Sequence, residues 1–309
     1  MLRTLLVPLD GSRFGEHALP LALTVARKSN AAIHLLHAHQ PLDAPYAELV
    51  VFDDTLDSQM KTRERDYLEH TAKEIARHYQ GPVSFALEDG HTASVIERVA
   101  AERRVDLIVQ TTHARGPLAR FWLGSVTDEL IRKSNVPLLL AHPKDEAVDL
   151  ARDVPLRHWL APLDGTPHSE HILPILSMIA EPLDPEFTFL RVLRPVSPMM
   201  VPAAVGGFAP IAEDVIIRVE SVQADVEKEA AEYLARIAAP YRSKARAVHT
   251  VVMTDDNLGE AILHRSKMVD AIALGTHGRH GLSRMLWGSV ADNVIRGAQV
   301  PILVLRHAG

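Results

Sequence analysis

The sequence predicts an α/β protein of two tandem, doubly wound domains, each a five-stranded parallel sheet with helices on both faces. Three observations predict it. Short apolar runs alternate with longer amphipathic stretches along the whole chain, the pattern of strands joined by helical crossovers. The chain also repeats itself: PLDGSRFGEHALPL at 8–21 returns as PLDGTPHSEHILPI at 162–175, with eight identities in fourteen positions. Finally, 309 residues is about twice the size of one compact domain.

A second match fixes the far end of the repeat. TTHARGPLARFWLGSVTDELIR at 111–132 matches GTHGRHGLSRMLWGSVADNVIR at 275–296 in eleven of twenty-two positions, and VPLLL at 136–140 matches VPILV at 300–304. The offset moves from 154 to 166 and then to 164, so the second copy gains residues between Pro195 and Tyr233. The gain falls in a Pro- and Gly-rich stretch that reads as an extended loop. Domains are expected over 1–145 and 155–309, joined by a mixed-charge linker near 144–157.

Within the first copy, TLLVPL at 4–9 is short, apolar and bounded by Asp10, as a buried parallel strand should be. Apolar residues at helical spacing over 16–28 predict a helix, and 32–38 a second strand. The charged amphipathic stretch 56–79 predicts a long helix. Strands at 83–87, 107–111 and 137–141 then alternate with helices at 92–103 and 125–134. The second copy repeats the series from 159–163 to 302–305. Each terminal strand should be a sheet edge, and apolar edges invite pairing, so the two copies are expected to pair with each other as a pseudo-dimer. A true homodimer stays open.

Composition narrows the function. With 33 basic and 39 acidic residues the net charge is -6, which argues against nucleic acid or a polybasic membrane anchor. The absence of cysteine removes disulfides, thiolate metal sites and a Cys nucleophile. The apolar start is too short for a signal-peptide core, and no run would span a bilayer. A soluble, cytoplasmic protein is the expectation.

In doubly wound sheets ligands bind beyond the carboxyl ends of the strands, so the residues just after each strand matter most. Asp10-Gly11-Ser12 and Asp164-Gly165-Thr166 follow the first strand of each copy. Each is a tight turn with Ser12 or Thr166 as a local cap, or a carboxylate for sugar hydroxyls, an adenine amine or a phosphate-bound metal. After the fourth strand of the second copy comes Gly275-Thr276-His277-Gly278-Arg279-His280-Gly281, then Gly288-Ser289-Val290. Glycines let backbone N–H groups approach an anion, and a helix amino terminus is itself an anion site. Ser289 with Asp292 has the spacing of a capping box, so Ser289 is expected to cap that helix.

The spacing G-x2-G-x9-G-S of Gly275, Gly278, Gly288 and Ser289 resembles the nucleotide signature of the universal stress protein family, and the resemblance covers both copies. It implies a Rossmann-like, adenine nucleotide alpha hydrolase-like fold and bound ATP, ADP or AMP, with Mg as an optional companion. The implied contacts are Pro162, Leu163, Asp164 and Val192 for the nucleoside, and Gly275, His277, Gly278, Arg279, Gly288, Ser289 and Val290 for the phosphates. The first copy departs from the signature. Thr111 and Ala114 replace two glycines and Pro117 replaces Gly281. A β-carbon at a left-handed position costs about 1–2 kcal/mol, and Pro117 lacks an N–H donor. A weaker second site is left at Asp10, Gly124, Ser125 and Val126.

Other signals read as structural. His37 and His39 share one side of a strand without a third ligand fixed by spacing, and are expected to be satisfied by solvent. Glu16-His17 and Glu170-His171 start helices, where acid favours the dipole. Thus a nucleotide-binding stress-response regulator is expected. Its alternatives are a slow ATPase or phosphoryl-transfer enzyme using Asp164, and a scaffold for an unknown protein partner that uses the loop at 199–210.

Overall fold

A computed structural model describes residues 2–41, 54–112, 123–143, 146–197, 213–277 and 288–307. In the first copy, β1 (Thr4–Pro8), β2 (Ala32–His39), β3 (Val83–Asp89), β4 (Leu107–Thr111) and β5 (Leu138–Ala141) alternate with α1 (Ala18–Ser29), α2 (Asp54–His78), α3 (Thr92–Glu102) and α4 (Ser125–Lys133). In the second, β6 (His158–Pro162), β7 (Glu186–Leu193), β8 (Ala247–Thr254), β9 (Ala271–His277) and β10 (Ile302–His307) alternate with helices. Those helices are α5 (Pro167–Glu170), α6 (Ile172–Ala180), α7 (Glu213–Ala238), α8 (Leu258–Ser266) and α9 (Ser289–Gly297).

The ten strands form one sheet in the order β3-β2-β1-β4-β5-β10-β9-β6-β7-β8. Each half is parallel, because helical crossovers return the chain to the same end. At the centre the direction reverses: β5 and β10 pair antiparallel, with Leu303 opposite Leu139. The two edge strands expected to seek partners therefore find each other.

Two buried layers sandwich the sheet. On one face α1, α2, α6 and α7 cover Leu5, Val7, Leu35, Trp159, Phe187 and Phe189. On the other, α3, α4, α8 and α9 cover Leu6, Ile108, Leu160, Leu190 and Ile272. The same foundation recurs beneath each copy. Asp106 Oδ2 accepts the N–H groups of Arg3 and Thr4, and Asp270 Oδ2 those of Arg157 and His158.

The linker is docked rather than loose. Arg27 of α1 pairs with Asp153 at 2.5 Å and donates to Leu150 O at 2.6 Å, while Val154 N donates to Thr24 Oγ1 at 2.8 Å. Among the described residues, no helix is long and apolar enough to cross a membrane.

The helix expected over 16–28 begins with a 3-10 turn, Gly15–His17, before α1. Its counterpart in the second copy is split into α5 and α6 at His171. α5 lies against β9.

Candidate functional site

Strand order reverses between β1 and β4, and again between β6 and β9. Clefts open beyond such reversals because neighbouring crossovers leave on opposite faces. At the second reversal, Leu163 N still donates to Leu190 O at 2.8 Å, and the chain then turns through Gly165 at φ 79°. Asp164 Oδ1 accepts both Thr166 N at 2.9 Å and Thr166 Oγ1 at 2.5 Å. Thr166 caps α5, as its sequence position implied, by accepting Ser169 N. Ser169 Oγ in turn donates to Thr166 O at 2.9 Å and accepts Asp164 N at 3.1 Å. The Asp164 carboxylate is thus fixed by its own turn at the mouth of the cleft.

A cavity of about 440 Å³ opens there. It brings together Pro162, Leu163, Asp164 and Val192 with Gly275, Gly288, Ser289 and Val290. His277 ends β9. Gly278 and Arg279 lie outside the described residues. Leu258, Ile262 and Leu274 supply an apolar wall. Sequence reasoning missed Ser169, Arg191 and Arg194, which also line the cavity. Arg191 adjoins Val192 and Arg194 lies two residues beyond it, and that proximity was the available signal.

The opening of α9 differs from expectation. Its cap is Gly288, at φ 88° and ψ 135°, with no side-chain hydrogen bond; Ser289 is the first helical residue. Asp292 N returns to Gly288 O at 3.1 Å, and the Asp292 carboxylate pairs with Arg296 at 2.8 Å. The S-x-x-D spacing therefore does not close as a capping box. What it leaves is a helix amino terminus without a side-chain cap, on the cavity wall.

Gly275 also has a different reason from anion approach. A β-carbon there would lie 2.4 Å from His168 O and 3.1 Å from Ser169 O. The glycine lets α5 cross β9.

The first copy keeps the turn. Asp10 Oδ1 accepts Ser12 N at 2.9 Å and Ser12 Oγ at 2.6 Å, as Asp164 does from Thr166. Gly15 stands where the second copy has Ser169, and a β-carbon there would meet Asp10 Oδ1 at 2.6 Å. Gly124 precedes α4 at an ordinary φ of -60°, and its N–H donates to Thr112 O at 2.8 Å. Ser125 and Val126 then begin the helix. His113, Ala114 and Pro117 lie outside the described residues.

The strand-end histidines are not satisfied by solvent. His39 sits between Glu64 Oε2 at 2.7 Å and Asp57 Oδ1 at 2.9 Å, and His37 Nε2 lies 3.5 Å from Glu64 Oε1. Lys61 bridges Asp57 and Asp89. The charged face of α2 thus folds onto β2 instead of facing water alone. Glu16 and Glu170 likewise do more than complement a dipole, since each accepts a tyrosine hydroxyl, from Tyr67 at 3.1 Å and Tyr233 at 2.9 Å.

The universal stress protein family profile matches residues 1–142 and again 155–306. The chain belongs to the universal stress protein family. One universal stress protein of Mycobacterium tuberculosis is 27% identical over 210 residues, covering 68% of this chain and 65% of that relative, so the match spans under two thirds of its length. Another from the same organism is 24% identical over 306 residues, covering 98% of this chain and 96% of its own. Among solved structures, a universal stress protein from Archaeoglobus fulgidus superposes with a TM-score of 0.63 at 18% identity, over 98% of this chain and 96% of that one. One from Pseudomonas aeruginosa gives 0.62 at 18%, over 99% and 93%. These likenesses establish the fold: two universal stress domains in tandem.

Proposed function

We propose that this universal stress protein binds an adenine nucleotide, held mainly by its second copy. One observation carries the proposal: a single cavity gathers the Asp164 turn, the strand-end Val192 and the amino terminus of α9 at Gly288, Ser289 and Val290. Phosphates suit the helix terminus, where N–H groups and the dipole favour negative charge. Ribose hydroxyls suit Asp164, and the base suits the apolar wall beside Val192. A volume of about 440 Å³ is within the range of small-ligand sites.

Binding is a better fit than catalysis. Among the described residues, Asp164 is the sole carboxylate of the lining, and two hydrogen bonds from Thr166 already occupy its Oδ1. Such a group holds a hydroxyl more readily than it abstracts a proton. A divalent ion arriving with the phosphates would meet Asp164 as its protein ligand. In the first copy, the Gly124 N–H is spent on Thr112 O, so any nucleotide there is held weakly.

The test is to denature the purified protein, identify released nucleotide by chromatography, and titrate the stripped protein calorimetrically. One tight site per chain, lost in Asp164→Ala and kept in Asp10→Ala, is the expected result. Two equally tight sites would contradict the assignment to the second copy.

A further inference from the structure

One joint is built twice in this chain, from different chemistry. Tyr67 and Tyr233 make the same bond, to Glu16 and to Glu170, so they mark matching places on α2 and α7. Counting back from each tyrosine, Lys61 matches Glu227 and Asp57 matches Gln223. Both pairs meet the end of an edge strand. Asp89 lies opposite His39 across β2 and β3, and Thr254 lies opposite Leu193 across β7 and β8. Lys61 bridges Asp57 at 3.4 Å and Asp89 at 3.0 Å. Glu227 Oε1 likewise accepts Gln223 Nε2 at 2.7 Å and Thr254 Oγ1 at 2.8 Å. Gln223 Oε1 also accepts Val196 N at 2.9 Å, just beyond β7.

The first joint has members that the second lacks. His39 stands where the second copy has Leu193, and Glu64 where it has Ala230. The buried His39 ring reaches Asp57 at 2.9 Å and Glu64 at 2.7 Å. The titratable groups around it are Asp57, Lys61 and Glu64 from α2, Asp89 from β3, and His37 from β2 itself, 3.5 Å from Glu64. With His39 charged, two cations, His39 and Lys61, stand among three carboxylates. When the ring loses its proton, Lys61 is left among all three, and one ring nitrogen turns a lone pair toward a carboxylate. The second joint has no such step. Gln223 and Thr254 do not titrate, and their hydrogen bonds hold Glu227 below the ordinary carboxylate range.

We propose that the His39 cluster is a proton-operated latch on the amino-terminal half of α2. It is closed while the ring is charged and released as the ring becomes neutral, whereas the matching joint of α7 does not respond to pH. Burial opposes the closed form, and the bonds to Asp57 and Glu64 more than offset it, so the folded-state pKa is raised. The latch is therefore fully closed below the unfolded pKa of 6.5 and opens as pH rises through the folded one. Ala38, between His37 and His39, matches Val192 of the cavity lining. The latch thus sits at the strand end where the second copy opens its cleft.

Hydrogen exchange of the full chain, read by mass spectrometry, tests it. Protection over 60–67 in α2 is corrected for base-catalysed intrinsic exchange and divided by protection over the matching 226–233 in α7. Changes in global stability then cancel. The ratio should fall severalfold from about pH 6 to about pH 9. His39→Gln should abolish the fall, and Glu64→Gln, which removes a carboxylate acceptor, should move it to lower pH. A level ratio in the parent, or a fall unchanged in His39→Gln, overturns the latch. Circular dichroism checks that each variant is folded. Should His39→Gln not fold, Glu64→Gln decides, and a fall at the parent's pH in that variant overturns the latch as well.

Discussion

His39 Nδ1 lies 2.7 Å from Glu64 Oε2, and the side chain that makes this contact is only 1% exposed. Its other nitrogen faces Asp57 Oδ1 at 2.9 Å. Both partners are acceptors, so the ring must carry two protons to satisfy them. Burial opposes that charge, but the hydrogen bonds that the ring donates to Asp57 and Glu64 outweigh it and hold the His39 pKa above 6.5. Lys61 and Asp89 complete the charged surroundings, and His37 Nε2 lies against Glu64. The stabilisation is complete below the unfolded pKa and fades as pH rises through the folded one. Titration of the His39 ring by NMR should therefore place its midpoint above 6.5, and Glu64→Gln should lower it. A midpoint below 6.5 would show that the ring is neutral and the clamp absent.

His34, on the same strand, runs the opposite way. It is 2% exposed and touches Ser84 Oγ at 2.9 Å. Burial, aided by Arg103, lowers its pKa to about 4. The unfolded chain binds this proton first, so stability should fall as pH drops from about 6.5 toward 4. Denaturant midpoints measured across that window should decline, and decline less in His34→Gln. Equal slopes in the two proteins would remove His34 as the cause.

Leu303 and Leu139 meet across the central antiparallel pair, and neither has exposed surface. Truncating a leucine in such a place costs about 2–5 kcal/mol. Because β5 and β10 are the hydrogen-bonded joint between the copies, Leu303→Ala should also loosen their coupling. Calorimetry should show a lower melting temperature and a single transition broadening into two. A variant that melts with the parent would mean that the joint carries little of the stability.

How much of this was legible in the sequence depends on range. The alternating strands and helices were, because periods of 2 and 3.6 are local, and the repeat displayed them twice. Asp164 and Gly288 were legible because they sit directly after a strand and before a helix. The clamp on His39 was not: Asp57 and Glu64 belong to a helix whose charges read as a solvated face, and only tertiary packing turns them onto β2. Ser289 has the spacing of a cap, yet it is the first helical residue and Gly288 is the cap.

Tyr67 and Tyr233 make the same bond in the two copies, each to the glutamate near the first crossover helix. Burial, with the neighbouring glutamate, pushes both hydroxyls well above the ordinary tyrosine pKa. Each therefore stays a neutral donor through physiological pH. Removing one hydroxyl leaves a glutamate oxygen short of a donor and should cost about 1 kcal/mol. The sites lie in different copies, so the double Phe variant should lose the sum of the two single losses. A marked departure from additivity in denaturant unfolding would reveal coupling between the copies.

Gly275 and Gly288 line one cavity but should fail differently when replaced by alanine. At Gly275 the added carbon would stand 2.4 Å from His168 O, a backbone atom of α5 that cannot swing aside as a side chain can. Overpacking of this kind costs about 1–3 kcal/mol. The displaced helix carries Ser169 and its cap Thr166, which together hold Asp164. Gly275→Ala should therefore lower both the melting temperature and nucleotide affinity. At Gly288, a new β-carbon meets nothing within 4 Å among the described residues, but φ is 88°. The cost there is backbone strain of about 1–2 kcal/mol, relieved if the cap relaxes toward the φ of -60° seen at Gly124. That relaxation would re-aim the N–H groups opening α9. Gly288→Ala should thus lose affinity for a nucleoside diphosphate far more than for the nucleoside alone, whereas Gly275→Ala should weaken both. Equal losses for the two ligands in Gly288→Ala would mean that the phosphates do not sit on α9.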